Sequence, residues 1–255
     1  MSRIYDALKK AEGERQTQPA GPEAAAAAPA QPAPPVEAVT TVAGDWGRIP
    51  ADLTRELSAV RRLVESKLPE HARIALGIAS SVDGEGATTV MLGFARTLAT
   101  DARIRVLLVD AEGRRQDVSR RWAPGAPGWS DLTSAEQVSS ALVRTQVPNV
   151  DVLPYGTRPD MSPAQAAELL VEAVRRVAQG YQYVVFDCGS VLGTPTARYL
   201  AGALDGILMV VHASGTRREI CQKALEELQK TQAPVLGVVL NRRQYLIPEA
   251  IYKRI

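Results

Sequence analysis

Six short apolar runs, separated by helical patterns, are the feature that most constrains the fold of this chain. The runs cover residues 72–80, 104–110, 149–154, 181–187, 206–213 and 233–241. Helical patterns lie between them at residues 88–100, 163–179, 195–203 and 217–230. Continuous apolar strands that alternate with helices are typical of a parallel sheet covered on both faces. The sequence therefore predicts a doubly wound α/β fold that binds its ligand beyond the carboxyl ends of the strands.

The chain ahead of the first run divides by composition into three parts. In residues 1–12, apolar residues at helical spacing predict a short docking helix. A frayed tail is the open alternative. Residues 13–47 are rich in alanine and proline, and they predict a disordered linker because they bury too little apolar surface to offset the entropy of ordering. Residues 51–67 return to a helical pattern, so we expect the folded domain to cover residues 48–255.

Composition and charge exclude several classes of protein. The chain has 255 residues, of which 45% are hydrophobic, so it can bury a core of ordinary size. Its formal net charge of +2 is too small to indicate nucleic acid as the partner. No apolar run spans a membrane and no secretory signal is visible, so we expect a cytoplasmic protein. Cys188 and Cys221 are not spaced like metal ligands, which argues against a structural zinc site.

Residues that can carry chemistry follow the predicted strands. The first strand runs into the glycine-rich loop 80–89, which reads SSVDGEGATT. The second strand ends at Asp110, the fourth at Asp187 and the sixth at Asn241. A glycine-rich loop that opens a helix binds phosphate through backbone N–H groups, and carboxylates beside it hold Mg²⁺. These strand ends predict a site for a nucleoside triphosphate with Mg²⁺, and a plain strand-turn-helix connection is the open alternative.

The loop departs from a working phosphate-binding loop at one position. Such a loop carries a lysine for the β and γ phosphates, followed by a serine or threonine for Mg²⁺. Thr88 supplies the hydroxyl, but Ala87 occupies the position of the lysine. Residues 68–222 contain no lysine, so only an arginine could replace it, and Arg114 and Arg115 are the nearest candidates. Because phosphoryl transfer depends on positioned charge, this change argues against efficient catalysis.

With these motifs the chain resembles the cytoplasmic bacterial tyrosine kinases, or BY-kinases, over about residues 50–255. Their loop reads roughly SSxxGEGK[ST]T, which matches residues 80–89 except at Ala87. Their second acidic motif reads LL[IV]DxDxR, and here it is LLVDAEGR, with Glu112 in place of the second aspartate. The GVVLNR segment at residues 237–242 resembles the family's adenine-reading segment.

The resemblance implies a fold, cofactors and partners. The fold would be a three-layer, P-loop NTPase-like α/β/α domain related to the Min and Par ATPases. The cofactors would be ATP or ADP with Mg²⁺. The partner would be a membrane chain-length regulator, or an export protein, of exopolysaccharide or capsule synthesis. The protein would then work at the inner face of the cytoplasmic membrane, and a homo-oligomer and a peripheral membrane contact stay open.

The same resemblance implies individual site residues. The residues expected to bind nucleotide are Gly84, Glu85, Gly86, Thr88, Thr89, Asn241 and Arg242. The residues expected to hold the metal are Thr88, Asp110 and Asp187. No catalytic residue is assigned, since Ala87 occupies the lysine position. The tyrosines that an active kinase would autophosphorylate are Tyr245 and Tyr252.

Further departures from the family pattern also argue against catalysis, as Ala87 does. The two prolines expected shortly after Asp187 are absent, and the C-terminal tyrosine cluster is reduced to Tyr245 and Tyr252. The family's oligomerisation helix carries Glu-x-x-Arg-x-x-Arg, whereas this chain places alanine at the first arginine position. We therefore expect a degenerate, non-catalytic regulatory or scaffolding protein. The alternatives are an ATP-dependent tyrosine autokinase and a partition-type positioning ATPase, although the latter's additional lysine is missing early in the loop.

Two further regions allow two interpretations each. Four arginines after the second strand either contact phosphate or substrate or form a solvated basic face: Arg114, Arg115, Arg120 and Arg121. The tail from Pro248 predicts a short amphipathic helix. In one interpretation this helix contacts an anionic membrane surface or a membrane partner, and in the other it packs on the protein's own core.

Overall fold

The computed structural model describes residues 46, 51–68, 73–158, 161–231 and 234–243. The predicted helix at residues 1–12 lies outside this part of the chain, and so does the predicted linker except for Trp46. The tail that follows Arg243, with Tyr245, Pro248 and Tyr252, also lies outside it. The division into residues 1–12, 13–47 and 48–255 therefore stays a prediction.

A single seven-stranded sheet forms the centre of the described structure. Its strands are β1 (Ile74–Ser80), β2 (Val106–Asp110), β3 (Val143–Arg144), β4 (Val150–Leu153), β5 (Tyr183–Ser190), β6 (Gly206–His212) and β7 (Val235–Asn241). Their order across the sheet is β3-β4-β2-β5-β1-β6-β7. All neighbours pair in parallel except β3, which runs antiparallel to β4.

Helices connect the strands and cover the sheet. They are α1 (Ala51–Lys67), α2 (Ala87–Leu98), α3 (Ser119–Trp122), α4 (Val138–Ala141), α5 (Pro163–Val177), α6 (Thr196–Leu200) and α7 (Arg218–Gln229). Short 3₁₀ turns complete the connections at Trp129–Asp131, Ala135–Gln137, Ala178–Gly180 and Ala201–Ala203. Helix α5 begins where expected, with Pro163 in its first turn and Ser162 as its cap. Within the described residues, every helix is too short or too polar to cross a membrane.

Two apolar clusters form the core. One contains Leu107, Trp129 and Leu170, and the other contains Leu57 and Phe94. Alternate residues of the same strand belong to different clusters, because successive side chains of a strand point to opposite faces. The predicted mostly parallel α/β fold is confirmed.

The sequence pattern missed strand β3. This strand contains only Val143 and Arg144, and two residues are too short to produce a recognisable alternation. The connection after β2 also differs from a plain loop, since it carries the short helices α3 and α4 and buries both Trp122 and Trp129.

The sheet order determines where the site lies. Strand β5 pairs with β2 on one side and with β1 on the other, and Asp110 lies directly beside Asp187 in the register. The loop that follows β1 therefore starts next to the strand ends that carry both carboxylates.

Candidate functional site

The glycine-rich loop between β1 and α2 has the backbone geometry of an anion-binding loop. Gly84 has a φ of 86° and Gly86 a φ of 93°, in the left-handed region that favours glycine. A Cβ atom on Gly86 would collide with the side-chain amide of Asn241. Among the described residues, no side chain caps the start of α2, so its first N–H groups have no side-chain acceptor. This arrangement favours an anion at the start of α2.

Glu85 anchors the loop to the rest of the protein. Its side chain is buried and accepts hydrogen bonds from the backbone of Val82 at 3.0 Å and of His212 at 3.2 Å. The backbone N–H of Ser81 and the hydroxyl of Thr216 also donate to this carboxylate. The Glu85 side chain thus joins the loop to the end of β6 and does not line the cavity in front of the loop.

Thr88 and Asp187 meet inside that cavity. The Thr88 hydroxyl donates a hydrogen bond of 2.6 Å to the Asp187 carboxylate, which also accepts from the backbone of Gly189 at 3.2 Å. Burial raises the pKa of Asp187 to about 6, against the opposing effect of the hydrogen bond from Thr88. A hydroxyl and a carboxylate at this distance match two ligands of a hydrated Mg²⁺ ion, which keeps several of its waters.

Asp110 lies beneath the cavity wall. Its carboxylate is fully buried and accepts two hydrogen bonds of 2.7 Å from Ser119, one from the backbone N–H and one from the hydroxyl. Burial, and then the neighbouring charge of Asp187, raise the pKa of Asp110 to about 7. Asp110 does not line the cavity, so it neighbours the predicted metal site through Asp187 and orders the loop after β2.

The cavity in front of the loop has a mixed charge. Its volume is about 190 Å³, and its wall includes Gly84, Gly86, Ala87, Thr88, Thr89, Asp187, Arg115, Arg121 and Arg242. Among the described residues, no lysine lines it. Ala87 is almost fully buried at the start of α2.

The arginines after β2 do not all serve this cavity. Arg114 lies 3.1 Å from Asp83 and 3.4 Å from Glu112, and it is absent from the cavity wall. Arg115 lines the cavity but forms an ion pair of 3.0 Å with Asp117. Arg120 is exposed, while Arg121 lines the cavity. The structure therefore places Arg115 and Arg121 in the cavity wall and Arg114 and Arg120 outside it.

The end of β7 reaches the same loop. The Asn241 amide donates a hydrogen bond of 2.7 Å to the backbone oxygen of Glu85, so this predicted adenine-reading side chain holds the loop. Arg242 follows with a φ of 54° and lines the cavity. That φ lies in the left-handed region, which is uncommon for a residue with a side chain.

The cavity fits the phosphate end of a nucleotide. The uncapped start of α2 and the two left-handed glycines leave backbone donors for phosphate oxygens. A Cβ on Gly84 would meet no atom within 4 Å, so the loop leaves open space at that point. Thr88 and Asp187 provide the oxygens for Mg²⁺. The binding roles of the predicted residues remain a proposal.

Two serines that were not predicted from the sequence form hydrogen bonds with acidic residues around the site. Ser119 donates to Asp110, and its hydroxyl accepts from the backbone N–H of Tyr155 at 2.8 Å. The Ser190 hydroxyl donates a short hydrogen bond to Asp83. The position of Ser190, three residues after Asp187 at the end of β5, was the only signal in the sequence.

Two bacterial tyrosine-protein kinases are similar in sequence to this chain. No family model matches. Tyrosine-protein kinase CpsD of Streptococcus agalactiae serotype III is 28% identical over 174 residues, which cover 66% of this chain and 73% of the relative. Tyrosine-protein kinase YwqD of Bacillus subtilis is 24% identical over 195 residues, covering 75% of this chain and 81% of the relative.

Solved structures share the fold. The chimerical protein CapA2B2 superposes with a TM-score of 0.68 at 20% identity, covering 81% of this chain and 94% of that structure. The kinase domain of Escherichia coli tyrosine kinase ETK gives a TM-score of 0.65 at 17% identity, covering 83% and 94%. The resemblance recognised in the motifs is confirmed: the relatives similar in sequence are named tyrosine-protein kinases, and the solved structures have the same fold.

Proposed function

We propose that this protein binds a nucleotide without efficient phosphoryl transfer and acts as a regulatory or scaffolding component of exopolysaccharide synthesis or export. The observation that carries the proposal is Ala87, which stands at the start of α2 where the loop of an active kinase has lysine. The loss of one preorganised charge typically costs several kcal/mol of transition-state stabilisation. The remaining parts of the site bind and orient phosphate, which a nucleotide-dependent scaffold also requires.

The retained groups support nucleotide binding. The N–H groups at the start of α2 would hold phosphate oxygens, and Thr88 with Asp187 would hold Mg²⁺, which neutralises phosphate charge when bound. The partner we propose is a membrane chain-length regulator or an export protein, so the protein would act at the inner face of the membrane. This part of the proposal follows from the family resemblance, and a homo-oligomer and a peripheral membrane contact belong to it.

Titration of the full chain with Mg²⁺-ATP by calorimetry, beside an Ala87→Lys variant, tests the proposal. We expect the native protein to bind and to show no phosphotyrosine and little ATP hydrolysis. We expect the variant to bind more tightly and to hydrolyse faster, because the lysine restores charge at the phosphates. Efficient ATP turnover by the native protein would contradict the non-catalytic assignment. Absence of binding by both proteins would leave a role through protein contacts alone.

An active autokinase is the second candidate. It is favoured by the retained pair of Thr88 and Asp187 and by relatives that are named tyrosine-protein kinases. Its acceptor residues would be Tyr245 and Tyr252, which lie outside the described residues. Phosphotyrosine in the purified protein that disappears in an Asp187→Ala variant would support this candidate. Its absence after incubation with Mg²⁺-ATP would exclude autophosphorylation.

A further inference from the structure

The cavity lacks the lysine of its loop, yet three arginines contribute to its wall. They are Arg115, Arg121 and Arg242. Arg115 and Arg121 come from the connection after β2, and Arg242 follows the end of β7. In the sheet, β2 and β7 lie on opposite sides of β1, the strand from which the glycine-rich loop begins. The three therefore approach the cavity from two different sides.

The arginines of the β2 loop are already engaged within the protein. The Arg115 guanidinium lies 3.0 Å from the Asp117 carboxylate. The hydrogen bond to Asp117, and then the negative charge of that carboxylate, raise the pKa of Arg115. Arg121 also interacts within the chain. Arg114, the other candidate from the sequence, is paired with Asp83 and Glu112. Recruiting any of these three to a phosphate would first disrupt an existing interaction.

Arg242 differs in its surroundings. It is exposed, it lines the cavity, and among the described residues it makes no hydrogen bond or ion pair. Its charge is therefore available for a new anion without the loss of an existing partner. Arginine suits this task because its planar guanidinium can make two parallel hydrogen bonds to phosphate oxygens.

The backbone of Arg242 is also held close to the loop. Asn241, its neighbour, donates to the backbone oxygen of Glu85, two residues before Ala87. The left-handed φ of 54° then turns the chain at the end of β7. Residues in sparsely populated backbone regions cost free energy and cluster at functional sites, where the surroundings maintain them.

We infer that Arg242 supplies, from the end of β7, the positive charge for nucleotide phosphates that Ala87 does not supply from the loop. The inference rests on the proposed nucleotide binding and names the residue on which that binding depends. The ligand class is a triphosphate group with Mg²⁺, and the base is not needed for this contact. Arg242 thus takes the binding part of the missing lysine's role from outside the loop.

Calorimetry with two probes tests the inference on the full chain. The probes are ATP and inorganic tripolyphosphate, both with Mg²⁺, and tripolyphosphate has no base. We expect Arg242→Ala to weaken both by a similar factor of about tenfold or more, as for the loss of a charge-assisted hydrogen bond. We expect Arg242→Lys to retain most of the affinity and Arg115→Ala, the matched control, to change it less.

A double-substitution cycle adds a readout that a general structural defect would not produce. If Arg242 replaces the lysine, Ala87→Lys should raise the affinity much more in the Arg242→Ala background than in the native protein. Equal effects in both backgrounds would overturn the inference. So would an Arg242→Ala variant that binds ATP weakly but tripolyphosphate normally, because that result places Arg242 at the base.

The failure of this inference can be distinguished from failure of the proposed function. Unchanged binding in Arg242→Ala overturns only the role of Arg242, while nucleotide binding without turnover remains. If the native protein binds neither probe, the inference is wrong, and the scaffolding role then depends on protein contacts. Thermal unfolding of each variant shows whether it is folded before its affinity is compared.

Discussion

At the scale of single residues, the site combines buried carboxylates with a glycine-rich loop that carries alanine at position 87. Asp187 is held by Thr88 and Gly189, and its pKa is raised to about 6 chiefly by burial. A carboxylate whose pKa is raised by burial reduces the stability of the folded state when it is ionised.

Replacement of Asp187 by asparagine should therefore stabilise the protein at alkaline pH. The folded-state pKa lies above the ordinary value, so the stabilisation from the protonated form is lost as the pH rises through about 6. We expect the free energy of unfolding of the native protein to fall between pH 5 and pH 8, and that of Asp187→Asn to fall less. At pH 8 the variant should be more stable by about 1–2 kcal/mol, measured by urea unfolding.

Asp101→Asn is the control for this experiment. The side chain of Arg103 lowers the pKa of Asp101 to about 2, so Asp101 titrates below the tested range. Its replacement should leave the slope between pH 5 and pH 8 unchanged. A native protein whose stability rises over this range would contradict the expected effect of Asp187.

Glu85 should be sensitive even to a nearly isosteric change. Its carboxylate accepts from several backbone and side-chain donors, whereas the amide of Gln would present N–H groups to some of them. We expect Glu85→Gln to lower the free energy of unfolding by about 1–3 kcal/mol in urea unfolding. Glu136→Gln, at an exposed position, should stay within about 0.5 kcal/mol. Equal effects of the two substitutions would show that Glu85 does not anchor the loop.

At the scale of secondary structure elements, helix α1 is an integral part of the domain. Leu57 and Val64 are buried in the cluster that includes Phe94 of α2. The Glu65 carboxylate accepts a hydrogen bond of 3.0 Å from the Tyr183 hydroxyl at the start of β5. Both contacts attach α1 to elements that flank the site.

Two leucines of α1 offer a matched comparison of this packing. Leu57 is 1% exposed and Leu63 is 38% exposed. We expect Leu57→Ala to lower the free energy of unfolding by about 2–5 kcal/mol, because it leaves a cavity in the core. Leu63→Ala should cost less than about 1 kcal/mol. Chemical denaturation measures both, and comparable losses would contradict the packing described for α1.

At the scale of the whole molecule, the protection of backbone amides against hydrogen exchange should decrease from the centre of the sheet to its edges. Strands β1 and β5 are central, whereas β3 and β7 are the edges. Backbone amides in the centre exchange only through large unfolding events, while edge strands open locally. We expect hydrogen exchange to be slowest in Ile74–Ser80 and Tyr183–Ser190 and faster in Val235–Asn241. Exchange in β7 as slow as in β5 would contradict this gradient.

The parts of the molecule that the sequence could predict are those determined by local pattern. Apolar runs identified the six longer strands, and glycine spacing identified the loop before α2. The family resemblance indicated Arg242 as a nucleotide-binding residue. Local pattern could not show that Arg242 lines the cavity in front of the glycine-rich loop, because that position depends on the order of strands across the sheet and on one left-handed residue. The hydrogen bonds from Ser119 to Asp110 depend on how the β2 loop folds back, which periodicity does not describe.

The tryptophans around the β2 loop have a consequence for spectroscopy. The Trp46 and Trp122 rings pack edge to face with centroids 5.1 Å apart, and Trp122 directly follows Arg121 of the cavity wall. The Trp129 indole N–H donates a hydrogen bond of 2.7 Å to the backbone oxygen of Asp110. All three indoles of the chain therefore contact this loop or the strand end from which it begins. The intrinsic tryptophan fluorescence of the unlabelled protein should therefore change when the conformation of this loop changes.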